Sequence, residues 1–280
     1  MSQKPKLDKG TLLGITLAAG GICGGLLLEG GSLREITQPT AAMIVLGGTL
    51  GATLVGQPFA VFLGACRQLF RLFVETSMDP EAAIRQILDF ATKARKNGIV
   101  SLEKEVMGLA DDPFLKKALI LAVDGTEPQE IRRMMELEIH LEAGRREAEA
   151  RVLEAAGGYA PTIGIIGAVL GLIQVMKHLE NIEEVGKGIA VAFVATIYGV
   201  GIANLLLLPA AAKIKAKAQA SQRIAEMTLE GVIGIAEGLN PKLIRGKLEA
   251  YVKDRASAKP AKGSAAAAAR KPLEGRAGGL

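Results

Sequence analysis

The 280-residue chain has no tryptophan, and aromatic residues make up only 4% of it although 49% is hydrophobic. Its apolarity therefore comes from Leu, Ile, Val, Ala and Gly, a balance that fits membrane-spanning helices better than a soluble core. Cysteine is nearly absent: Cys23 and Cys66 fall in different apolar stretches, at different expected depths, which argues against a disulfide between them. His140 and His178 lie far apart with no Cys or His companion, so neither reads as a metal ligand. The most informative absence is charge. Gly10 to Leu28, Ile36 to Cys66, Ala155 to Met176 and Gly188 to Ala212 contain no Asp, Glu, Lys, Arg or His.

A bilayer core about 30 Å thick needs about 20 residues at 1.5 Å each, and every one of these stretches supplies that or nearly so. The first resembles a secretory signal behind Lys4, Lys6 and Lys9. However, its nineteen residues exceed an apolar signal core of about 7–15, and a second apolar run follows after seven. It is expected to be a retained helix. Many of the 34 glycines fall inside the apolar stretches, where small residues let helices approach closely.

Lys and Arg assign the sides. The short connections Glu29 to Glu35 and Lys177 to Lys187 hold only Arg34, Lys177 and Lys187 of the 34 basic residues. Both termini and the central block are therefore expected in the cytoplasm, with two short hairpins outside. The fold class is an all-α integral membrane protein with four transmembrane helices, two plus two, and a large helical cytoplasmic domain between spans two and three. The expected division is 1–9 amino terminus, 10–56 spans one and two, 57–157 cytoplasmic domain, 158–210 spans three and four, 211–254 cytoplasmic helices, and 255–280 a disordered basic tail.

The central block, Gln57 to Glu154, carries 14 basic and 17 acidic residues, which makes nucleic acid a poor partner. Asp79-Pro80 reads as a helix start, Ile84, Ile87, Leu88, Ala91 and Ala94 as its apolar face, and Gly98 as its end. Leu102, Val106 and Leu109 begin another face. Thr126 with Gln129 resembles a capping box opening a run from Glu127 to about Ala156, which could continue into the third span as one rod. From Lys213 onward there are 14 basic and 6 acidic residues, with helical spacing in Ile224, Met227, Val232 and Ile235. This excess of positive charge is suited to anionic membrane lipid.

A chain that moves ions normally keeps an ionisable group inside the membrane, and this one has none, so a second subunit would have to supply it. Thr162, Gln174, Thr196, Tyr198 and Asn204 are polar but uncharged and read as helix bridges. Gly164, Gly167, Ala168 and Gly171 give the third span a smooth face for a neighbouring helix. Pro161 and Pro209 weaken the helical ladder at the cytoplasmic ends of spans three and four. No catalytic centre, metal site or cofactor is expected.

Three segments carry a family resemblance: Arg95-Lys-Asn-Gly-Ile-Val-Ser-Leu102-Glu103, Gly158-Tyr-Ala-Pro161-Thr-Ile-Gly164-Ile-Ile-Gly-Ala168-Val-Leu-Gly171, and Thr196 to Pro209. Together with the two-plus-two layout they resemble the MotA family, the larger stator subunit of the bacterial flagellar motor. The resemblance implies that Arg95, Glu103 and Glu138 contact a rotor switch-complex protein of FliG type. It implies five copies around two copies of a single-span MotB-type partner that carries the ion-binding Asp. Ala168, Thr196, Gly164 and Gly171 would then line the ion path and the partner helix, and Pro161 and Pro209 would couple conformational change to the cytoplasmic domain. Sodium-driven relatives usually have Thr at the position of Ala168, and an apolar residue offers no oxygen to a hard cation, so protons are the expected ion. The implied location is the bacterial inner membrane. The related ExbB and TolQ group is the alternative, but its members typically have three spans with the large loop after the first. A carrier or channel acting alone fits less well.

Overall fold

The computed structural model describes residues 6–75, 79–109 and 112–257. Four helices in it are long and apolar enough to cross a membrane. They begin with α1 (Lys9–Leu28) and α2 (Pro39–Gly56), whose start is set by proline at the first helical turn. The second apolar stretch does not run on as one helix to Cys66. Gln57 and Pro58 adopt extended backbone and break it, so that α3 (Phe59–Arg71) is a separate helix with basic residues on one side.

Helix α4 (Pro80–Asn97) starts as its sequence predicts, with the Asp79 carboxylate accepting from the Glu81 amide. Gly98 ends it at φ +83°, a left-handed conformation that costs other residues a steric penalty, and the chain turns through a short 3-10 segment, Ile99–Leu102, into α5 (Glu103–Met107). After α6 (Pro113–Val123) comes α7 (Pro128–Lys177), a single helix of 50 residues, about 75 Å long at 1.5 Å per residue. The expected rod is therefore real, but the capping box is not. Pro128 takes the first helical position, which moves the cap to Glu127, and no side chain there bonds the helix end.

The fourth span is also continuous with a rod that leads out of the membrane region. Helix α8 (Ile182–Ile202), a wide π turn (Ala203–Leu207) and α9 (Leu208–Ala236) form 55 unbroken helical residues. The closing helix α10 (Pro241–Ser257) runs just past residue 255, and the remainder of the expected disordered tail, 258–280, lies outside the described residues.

The central block and the chain after the fourth span, far apart in sequence, share one core. Ile87, Leu102, Leu119, Ile131 and Met135 pack with Met227, Val232, Ile244 and Leu248, and α9 approaches α4 so closely that a Cβ on Gly231 would sit 2.6 Å from the Ile87 side chain. Ile224, Met227, Val232 and Ile235 all join this core, as their spacing predicts. A second, alanine-rich core lies where the rods enter the membrane, built from Ala65, Ala150, Ala156, Ala160, Ala203 and Ala210 with Leu153 and Leu207. One short feature is not helical: β1 (Lys6–Leu7) pairs antiparallel with β2 (Val74–Glu75). The start of α1, the end of α3 and residue 213 thus meet at one end of the bundle, the end that leads into the helical body.

Candidate functional site

Within the membrane region, α7 and α8 meet backbone to backbone. A Cβ on Gly164 would lie 2.9 Å from the Ala195 carbonyl, one on Gly171 2.8 Å from the Gly188 carbonyl, and one on Gly199 2.5 Å from the Ala160 carbonyl. Such distances exist only because these positions are glycine. Gly164 and Gly171 were expected on the face that receives a partner helix. They are instead buried against their own chain's α8, so the smooth face is already occupied. Ala168 and Thr196 flank this sealed seam and are half-exposed. The Thr196 hydroxyl donates to the Ala192 carbonyl at 3.2 Å, which leaves its oxygen able to accept from outside.

The other polar residues of the spans behave mostly as bridges or self-satisfied groups. Tyr198 Oη donates to the Ile36 carbonyl at 2.6 Å and accepts from the Gln38 amide, clasping the lead into α2 against α8. Thr162 and Asn204 each bond a carbonyl of their own helix. Cys23 and Cys66 are free thiols, and both histidines are exposed.

The prolines differ in how the helix accommodates them. Helix α7 passes Pro161 without interruption. At Pro209 the ring lacks an amide and would press on the carbonyl four residues back, and the chain responds by widening: the Leu208 amide bonds the Ala203 carbonyl five residues earlier. Gly157 lies directly against Leu207 and Leu208, so both proline regions share the alanine-rich core. Just beyond it, Lys215 pairs with Glu154 at 2.8 Å, and near the far end Arg132 pairs with Glu230 at 2.7 Å, tying the rods together. The Glu230 carboxylate holds the Arg132 guanidinium above its ordinary pKa.

At the distal end, Arg95 closes α4 and Glu103 opens α5, on either side of the Gly98 corner. Both are exposed, and neither has an intrachain partner among the described residues. Lys93 stiffens this corner by bonding Asp89 and Glu105, each at 2.7 Å, and those carboxylates raise its pKa. Glu138 is different: it sits half-buried on α7 and is engaged by Lys117 of α6.

These features have close parallels in known proteins. The family model described as the MotA/TolQ/ExbB proton channel family matches residues 108–227, and the one described as Motility protein A N-terminal matches residues 12–98. Motility protein A of Bacillus subtilis is 37% identical over 253 residues, covering 89% of this chain and 93% of that protein. The chain belongs to the MotA/TolQ/ExbB proton channel family. Two solved structures agree with this MotA assignment. The flagellar MotAB stator complex from Bacillus subtilis superposes with a TM-score of 0.80 at 37% identity, covering 89% of this chain and 99% of that one. The C. jejuni MotAB structure gives 0.82 at 30% identity, covering 88% and 96%.

Two elements of this MotA-family chain are missing from the sequence expectations. One is the π turn, whose only signal is Pro209 itself. The other is a clasp at the membrane boundary, where Lys213 bonds both Asp8 and Thr11. An Asp directly before the first span, with Thr three residues on, is a legible cap signal: the Asp8 carboxylate also accepts from the Thr11 amide at 3.0 Å. Lys213 and the Thr11 amide together hold the Asp8 carboxyl down at about 2.

Proposed function

We propose that this chain is the larger membrane subunit of a bacterial flagellar stator, converting proton passage along the interface with a single-span MotB-type partner into force on the rotor. The observation that carries this reading is the continuity of the third and fourth spans with long charged rods, α7 over 50 residues and α8 through α9 over 55. A displacement at the membrane can thereby reach the helical body through unbroken helix. Absence of ionisable groups from the spans supports a partner that brings the titrating carboxylate.

In this reading Ala168 and Thr196 flank the path, with Ala168 disfavouring sodium because it offers no oxygen. Gly164 and Gly171 contribute by holding the third and fourth spans together. Pro161 and the π turn before Pro209 are the positions that bend. Arg95 and Glu103 present free charge to a FliG-type rotor protein, and Glu138 acts from the α6–α7 surface when its pair with Lys117 opens. The assembly is an oligomer, five copies around two of the partner, in the bacterial inner membrane with both termini and the helical body cytoplasmic. The matched amino-terminal model and the two spans before the central block favour this over an ExbB or TolQ role.

The test is motility of a cell whose own stator genes are deleted, supplied with this chain and its partner. Swimming that survives sodium removal and stops with a protonophore is the expected result. Swimming that depends on sodium overturns the ion assignment, and failure to swim with a correctly assembled pair overturns the function.

A further inference from the structure

Between α1 and the π turn of the fourth span lies an open cavity of about 360 Å³. Gly10, Gly14 and Ala18 of α1, four residues apart, line it together with Leu69, Phe73 and Pro209. A Cβ on Gly14 would meet nothing within 4 Å, so the trough is not closed by the chain's own packing. Close-packed proteins leave few voids larger than a water molecule, and a mostly apolar recess between spanning helices has the chemistry to take hydrocarbon.

The polar rim narrows the occupant further. Lys213 lines the cavity and is neutralised by Asp8. Lys9 and Arg71, the residues flanking the lining positions Gly10 and Leu72, are exposed and have no partner among the described residues. Helix α3 places Arg67 and Arg71 in the same element as exposed Phe59, Leu63 and Phe70, the composition of a helix lying in the membrane interface. The cavity lining thus adjoins, along the chain, a group of exposed cations suited to anionic headgroups.

We infer that this cavity binds one acyl chain of an anionic phospholipid from the leaflet next to the helical body, with its phosphate at Lys9 and Arg71. The lipid wedges between α1 and the bending region of the fourth span, and it separates them without sealing them together. This needs only the membrane-spanning character of the helices and is independent of the motor reading.

The experiment is native mass spectrometry of the purified full-length oligomer titrated with dioleoyl-phosphatidylglycerol, and in parallel with dioleoyl-phosphatidylcholine. Gly14→Leu fills the trough, and Gly21→Leu adds the same bulk to α1 where a Cβ also meets nothing within 4 Å. Gly14→Leu is expected to lower phosphatidylglycerol retention about tenfold, the equivalent of about 1.4 kcal/mol, while Gly21→Leu retains it and both keep the wild-type oligomer size. Lys9→Gln/Arg71→Gln is expected to abolish the preference over phosphatidylcholine. Equal retention in the two leucine variants overturns the site. A wild-type protein covers the case in which Gly14→Leu fails to assemble: photoreactive phosphatidylglycerol should label peptides containing residues 10–18 or 205–213. Labelling confined to other peptides, or a copy-to-copy crosslink through Gly14→Cys showing that a second copy fills the trough, also overturns it.

Discussion

Replacing Gly199 by alanine tests the seam on which the membrane half of the molecule depends. The new Cβ would stand 2.5 Å from the Ala160 carbonyl oxygen and 3.1 Å from the Gly164 Cα, both backbone atoms that no side-chain rotation can move away. Ordinary contact begins at 3.4 Å, so α7 and α8 must separate locally by about 0.9 Å, the difference between those distances. A gap of about 0.5–1 Å already forfeits a quarter to a half of the dispersion energy of each contact it opens. Gly164, Gly167 and Gly171 with Ala192 and Ala195 lie along the same seam and would lose contact together. Overpacking of this kind costs about 1–3 kcal/mol, or a factor of about 5 to 150 in the equilibrium between packed and separated helices. Gly201→Ala is the matched control, because a Cβ there meets nothing within 4 Å. In thermal unfolding of the detergent-purified oligomer followed by size-exclusion fluorescence, Gly199→Ala should melt well below wild type and Gly201→Ala should not. Equal behaviour of the two variants would refute the close backbone approach.

Three further outcomes follow from the described contacts. The Asp8 carboxyl is lowered from 3.8 to about 2, so the clasp contributes fully above the ordinary value and is lost only as pH falls through about 2. Spin-label distances between Leu12→Cys and Ala212→Cys should therefore stay unchanged from pH 8 to pH 5 in the parent and broaden in Asp8→Asn at every pH; broadening of the parent over that range contradicts the clasp. Leu119→Ala, at a fully buried position of the core shared by the central block and the carboxy-terminal helices, should cost about 2–5 kcal/mol in thermal unfolding, and a loss under about 1 kcal/mol would place Leu119 outside the core. Tyr198→Phe strands the Ile36 carbonyl and removes the acceptor for the Gln38 amide; at about 0.5–1.5 kcal/mol per bond, Gln38 should exchange its amide hydrogen measurably faster, and unchanged exchange would show that the clasp is not formed.

The spans, the rod through α7 and the faces of α4 and α9 were legible because periodicity and charge act locally. Asp79-Pro80 and Gly98 mark helix ends through backbone geometry that needs no neighbour. Identity of the neighbour was not legible. The small residues of the third span announced a close helix contact, but a one-dimensional pattern cannot say whether the helix that fills it is a partner's or the chain's own; Gly188, Ala192, Ala195 and Gly199 supply the answer from the fourth span. Pro209 could be read as a weak point, whereas the π turn that absorbs it depends on packing above and below, which keeps both α8 and α9 in register. Thr126 lost its cap role to Pro128, whose fixed φ suits the first helical position better. The common core of the central block and the carboxy-terminal helices is a long-range pairing, invisible to local spacing. At the distal surface, sequence could place Arg95 and Glu103 beside Gly98, and the structure adds that both are unpaired among the described residues while Glu138 is already engaged by Lys117.

The central claim, that motion at the ion path is delivered to a rotor through free charge at the distal corner, is tested most directly by torque measured on a bead attached to a single flagellar motor. The comparison is between wild type and Arg95→Glu/Glu103→Arg, with membrane level and partner co-purification measured in the same cells. Because these side chains make no internal ion pair among the described residues, assembly should be unchanged while torque falls sharply. Full torque from the doubly reversed protein would contradict the account.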